Sequence, residues 1–82
     1  MAQLTDHQKA ALKWFKNRGG DGIFDKTRCL IARGERAGVM RQTWSFLERA
    51  GLIERYAENR RARITRDGVL ADVSGVREAD CA

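Results

Sequence analysis

The sequence predicts one small α+β domain, mainly helical, whose helices pack on a small antiparallel β-hairpin. Two segments, residues 5–18 and 39–51, repeat apolar residues at helical spacing. A third, residues 52–65, alternates apolar and basic residues on either side of "AENR". A chain of 82 residues supplies a single core, near the lower limit for folding without staples. Residues 1–75 are expected to form the domain and 76–82 a disordered tail.

The first helix opens at Thr5, whose hydroxyl can cap it, with Gln8 completing a capping box. Asp6 lies in the first turn, where the helix dipole favours a carboxylate. Ala11, Trp14, Phe15 and Arg18 follow helical spacing, and Gly19-Gly20 ends the segment. "GIF", 22–24, is short and β-prone and must add to a sheet made elsewhere. Residues 25–34 read two ways. Asp25 and Gly34 favour a helix through Ala32, whereas "RCLIA" also reads as a strand with a turn at "RGER".

Over 39–51, Val39, Met40, Thr43, Trp44, Leu47 and Ala50 share one arc of a helical projection. Arg41, Gln42, Ser45, Glu48 and Arg49 share the other. Gly38 is the expected N-cap and Gly51 the stop. "LIERY" and "RARIT" then form the hairpin, with Asn59 suited to a left-handed turn position. Thr65 caps a short closing helix docked by Val69, Leu70 and Val73 and ended by Ser74-Gly75.

Charge is distributed unevenly. Residues 26–66 carry eleven basic and four acidic groups, net +7, while 67–82 carry one basic and four acidic, net −3. Twelve of the sixteen basic residues are arginine, whose planar fork suits phosphate and guanine edges. That balance favours a polyanionic partner. Catalytic chemistry finds little support, and a non-enzymatic protein is expected. His7 is the only histidine, and no nucleophile, paired acid or metal spacing accompanies it. "GGDG" lacks the Lys-Ser/Thr of a phosphate loop and follows a helix, so it reads as a turn. Cys29 and Cys81 match no zinc or redox motif, and no cofactor is expected. The longest apolar run is "CLIA", too short for a membrane span or a secretory signal, so the expectation is a cytoplasmic protein without membrane contact.

The stretch "RQTWSFLERAGLIERYAENRRARITRDG" resembles the winged helix-turn-helix family, particularly bacterial regulators of the MarR and ArsR type. Leu47, Glu48, Arg49 and Gly51, then Leu52-Ile53 and a charged residue, then basic residues and Thr65-x-x-Gly68 carry the likeness. It covers about a third of the chain. Residues 25–38 depart from the family's second helix, and the long flanking helices of many such dimers are missing. The chain looks like a bare winged-helix unit of phage or mobile-element type. A monomer or weak homodimer is therefore expected.

That resemblance implies sequence-specific binding of double-stranded DNA by a small transcriptional regulator. Helix 39–50 would lie in the major groove, presenting Arg41, Gln42, Ser45 and Arg49. The hairpin 52–65 would be the wing, with Arg60, Arg61 and Arg63 on phosphate or in a minor groove. Arg33 and Arg36 would hold the backbone ahead of the helix. The alternative reading is a winged-helix interaction module that inhibits or adapts a host protein of a nucleic-acid machine.

Overall fold

A computed structural model describes residues 4–78. It is more sheet-rich than expected. Three helices, α1 (Asp6–Asn17), α2 (Arg41–Arg49) and α3 (Arg66–Leu70), accompany five strands. These are β1 (Asp21–Phe24), β2 (Leu30–Ala32), β3 (Glu35–Arg36), β4 (Ile53–Tyr56) and β5 (Arg61–Ile64). They form one antiparallel sheet in the order β3-β2-β1-β5-β4. The expectation of a mainly helical winged helix-turn-helix is thereby corrected. No helix lies between α1 and α2, so α2 is not the second half of a helix-turn-helix. The hairpin β4–β5 is no free wing either, because β5 pairs with β1 as well.

The segment 25–34 decides the difference. Asp25 does not cap a helix. Its Oδ1 accepts hydrogen bonds from the Thr27 amide at 2.8 Å, the Thr27 hydroxyl at 2.7 Å and the Cys29 amide at 3.0 Å. This ties the chain into a tight loop that returns it as β2. Arg33 and Gly34 then take φ of 52° and 77°, the two left-handed positions of a two-residue hairpin turn. The turn joins β2 to β3 through the pair Ala32↔Glu35. "GIF" does add to a sheet, as its central strand.

α1 follows the expected chemistry. The Gln8 amide donates to Thr5 Oγ1 at 3.2 Å, and the Thr5 amide donates to Gln8 Oε1 at 3.0 Å. α2 begins two residues later than expected. Met40, not Gly38, is its N-cap, with extended φ −68° and ψ 148° and no side-chain cap. The helical projection therefore does not extend to Met40, which is 67% exposed. The closing helix is capped by Thr65 as expected but stops at Leu70, because Ala71 turns extended. Val69 and Leu70 are exposed rather than docked. The buried residue is Gly68, which packs on the Leu52 carbonyl.

Residues paired across antiparallel strands share a face. Gly22, Phe24, Leu30, Ala32, Ile53, Arg55, Ala62 and Ile64 thus face one side. α1 and α2 cover that side with Ala11, Leu12, Trp14, Phe15, Trp44 and Leu47, all fully buried. The other side, bearing Asp21, Ile23, Ile31, Arg36, Glu54, Tyr56, Arg61 and Arg63, has no helix against it among the described residues.

The C-terminal segment runs back along α1. Lys13 Nζ donates to the Val76 carbonyl at 2.8 Å, and Arg18 holds both Glu78 at 3.0 Å and Glu35 at 2.5 Å. Residues 76–78 of the expected tail are thus placed on the helix. Residues 79–82, including Cys81 and any pairing with Cys29, lie outside the described residues.

The closest approach in the fold predicts a stability contrast. A Cβ at Gly68 would collide with the Leu52 carbonyl oxygen and lie 2.6 Å from Ile64 Cγ1, whereas one at Gly34 meets nothing within 4 Å. Gly68→Ala should cost about 2–3 kcal/mol through overpacking. Gly34→Ala should cost about 1 kcal/mol through its left-handed φ. Urea denaturation of both variants checks the order; a neutral Gly68→Ala would refute the packing of α3.

Candidate nucleic-acid interface

The side chains singled out in the sequence fall on two separate surfaces. Arg36, Arg61 and Arg63 lie on the uncovered face of the sheet, and each meets acid. Arg36 Nε is 3.4 Å from Asp25 Oδ2, and Arg61 is 3.7 Å from Asp21 Oδ1. Arg63 Nε pairs with Glu54 Oε1. Arg61 Nε also donates to the Tyr56 hydroxyl at 3.0 Å, which in turn donates to Asp21 at 2.6 Å. The guanidinium carbons of Arg61 and Arg63 lie 5.7 and 5.2 Å from the Tyr56 ring. The Tyr56 hydroxyl raises the Arg61 pKa, and the Glu54 carboxylate raises that of Arg63. These arginines are engaged with their own sheet, and the local charge is nearly balanced.

The second surface is built around α2. Its nine residues carry no acid in the first turn. Arg41, Gln42 and Arg49 are exposed and Ser45 is half-buried. Steps of 100° per residue order this arc as Arg41, Ser45, Arg49 and Gln42, with Arg49 and Gln42 about 80° and 100° round from Arg41. Arg41 and Ser45 turn toward a hollow of about 230 Å³, lined also by Phe24, Arg28, Arg55 and Asn59. Arg28 comes from the β1–β2 loop, held by Asp25. Asn59 comes from the β4–β5 loop, where Ala57, Glu58 and Asn59 take left-handed φ of 53°, 59° and 66°. A hydrogen bond of 2.8 Å from the Phe24 amide to the Arg60 carbonyl ties that loop to β1.

Arg55 is the floor of this hollow. Its guanidinium carbon sits 4.7 Å from the Phe24 ring centroid, and its side chain is 16% exposed. Arg55 Nε lies 3.4 Å from Glu48 Oε1, an ion pair without hydrogen-bond alignment. Among the described residues, no carboxylate lies within ion-pair distance of Arg28, Arg41, Arg49 or Arg60.

Arg28, Phe24, Arg55 and Asn59 did not stand out as site residues in the sequence. One signal was present. Arg55 shares strand parity with Ile53, so the alternation of β4 points an arginine inward. Arg28 had no signal, because its loop is defined by the hydrogen bonds of Asp25. Among the described residues no cluster of His, Cys, Asp or Glu is placed to hold a metal ion. No helix is long and apolar enough to cross a membrane.

The fold and the site together define a class: a one-sided antiparallel sheet covered by two helices, with an arginine-lined hollow at the start of the second. No protein-family model, no curated protein and no solved structure matches the chain.

The loop that carries Arg28 has a pH signature. The Thr27 hydroxyl first, and then the Cys29 amide, hold the Asp25 carboxyl below its ordinary 3.8. A depressed carboxylate pKa contributes stability above the unfolded value and loses it as pH falls through the folded one. The Thr27 and Cys29 amide resonances should therefore hold steady through the ordinary aspartate range and shift only below it. A midpoint at or above the ordinary value would contradict the loop geometry.

Proposed function

We propose that the protein binds double-stranded DNA through α2 and its two flanking loops, and acts as a small DNA-binding regulator. The observation that supports this is the partition of the arginines. Those on the uncovered sheet face are neutralised by carboxylates, while Arg28, Arg41, Arg49 and Arg60 around α2 have no ion-pair partner among the described residues. An unneutralised basic surface is the electrostatic footprint of a polyanion.

On this reading the residues divide the contact between them. α2 has nine residues, about 13 Å of helix, on a scale with a major groove roughly 12 Å wide. Gln42 and Arg49 project outward from the arc, where Gln can fork onto adenine and Arg onto guanine. Arg28 and Arg60 flank the helix on separate loops and suit phosphates, which set register rather than sequence. Arg41 and Ser45 join the helix to the hollow. Arg36, Arg61 and Arg63 belong to the opposite face and contribute little to this contact.

Fluorescence anisotropy with labelled duplex, titrated with salt, tests the reading. Two neutralised phosphates, at Arg28 and Arg60, give a log–log slope of about −2. Arg60→Ala should lower affinity for every sequence and reduce the slope by about 1. Gln42→Ala and Arg49→Ala should flatten the motif recovered by selection from a random duplex library. Arg61→Ala should change binding by less than about twofold. Affinity indifferent to salt, or absent for every duplex, would refute the proposal; equal loss from Arg61→Ala and Arg60→Ala would move the interface to the sheet.

A further inference from the structure

The hollow between α2 and the two hairpin loops is more than a stretch of basic surface. Three arginines from three elements converge on it: Arg28 from the β1–β2 loop, Arg41 from α2 and Arg55 from β4. Ser45 and Asn59 add a hydroxyl and an amide, and no carboxylate is among the lining residues. We infer that this hollow is a binding site for a phosphomonoester, the terminal phosphate of a nucleic-acid end or of a free nucleotide.

Charge argues for the monoester. Three guanidinium groups face the cavity, and Glu48, behind Arg55, offsets one of them. Two positive charges are left uncompensated. A phosphomonoester carries about −1.5 to −2 at neutral pH and balances them. A phosphodiester carries a single charge and is substituted on both sides, so it suits a convex ridge better than a recess. Each arginine can present paired N–H groups to phosphate oxygens.

Shape agrees. The cavity of about 230 Å³ falls below the roughly 300–1,000 Å³ of pockets that enclose drug-sized ligands. It suits one phosphate with its sugar, not a length of chain. The site is also partly built in advance. Arg55 is packed on Phe24 and needs little ordering to meet an anion. Ser45 Oγ lies 3.5 Å from the Arg55 guanidinium. Asn59 is held at the rim by the left-handed loop. The start of α2, with neither an acidic residue nor a side-chain cap, adds the positive end of the helix dipole beside Arg41.

The inference depends on the DNA-binding reading for only one of its two sources, and the experiment separates them. Binding of the full chain is measured to a short duplex bearing 5′-phosphates, to the same duplex with 5′-hydroxyls, and to AMP. The expected result is a preference of about tenfold or more for the phosphorylated end, or direct binding of AMP. Arg28→Gln and Arg41→Gln, both at exposed positions, should abolish that preference or that binding. Arg55→Lys keeps the charge but loses the fork, and should reduce it in a protein whose melting temperature shows it folded.

Affinity for the phosphorylated probe should rise as pH increases through about 6, where the second phosphate proton leaves. The change reports on the ligand's own second ionisation. AMP binding without duplex binding would defeat the regulator reading and leave this site standing. Duplex binding indifferent to the terminal phosphate, with no binding of AMP, would overturn the site and leave the regulator reading intact. A phosphate preference that survives both glutamine substitutions would also overturn it.

Discussion

Trp44 is the contact on which the arrangement depends. Its ring lies 6.3 Å from that of Trp14 and meets Phe15 edge-on at 5.7 Å. Both partners belong to α1. The three aromatic rings therefore fix the two helices against each other before either is considered against the sheet. All three are fully buried, and neither indole N–H has a hydrogen-bond partner. The cluster holds chiefly by shape and burial, with the Arg18 guanidinium carbon 5.6 Å from the Trp14 ring at its edge. Removing a buried Trp side chain typically costs about 3–5 kcal/mol, a large part of what an 82-residue domain has.

The same contact orients the exposed arc of α2. With Thr43, Trp44 and Leu47 turned inward, Arg41 and Ser45 face the end of the sheet where Phe24 and Arg55 lie. The inward arginine is accommodated because it emerges beyond the aromatic cluster, stacked on Phe24 and balanced by Glu48. A guanidinium deeper in the sheet would have no such exit and would carry a heavy desolvation cost. Packing at one end of the domain thus determines which polar groups meet at the other.

This division explains how much could be read from the sequence. α1 was legible because its cap, box and apolar stripe are all local. The hairpin at 53–64 was legible from alternation and a turn residue. The segment 25–34 was not, because three side-chain acceptances by Asp25 and a left-handed pair at Arg33 and Gly34 decide it. Both features mimic helix punctuation: an Asp before an apolar run and a Gly after it. The consequence spread further than those ten residues. Once they form strands, β1 becomes central and the sheet grows from three strands to five. The candidate site was legible only along α2, whose arc is a property of one helix. Arg28 and Asn59 reach the hollow through tertiary folding, and no spacing in the sequence announces that.

Net charge is a blunt guide. A net +7 over residues 26–66 says that something anionic is favoured, but not where. The fold resolves it by pairing. Asp21, Asp25 and Glu54 stand opposite the arginines of the uncovered sheet face, in a register that also places Ile23 and Ile31 between them. An anion approaching there must displace an existing carboxylate, so attraction is largely cancelled at contact. Around α2, among the described residues, the one carboxylate in an ion pair is Glu48, which meets Arg55. The two sides of one small sheet therefore differ in kind. One side is a closed ionic lattice, and the edge of the other is a basic hollow whose charges the protein itself leaves open.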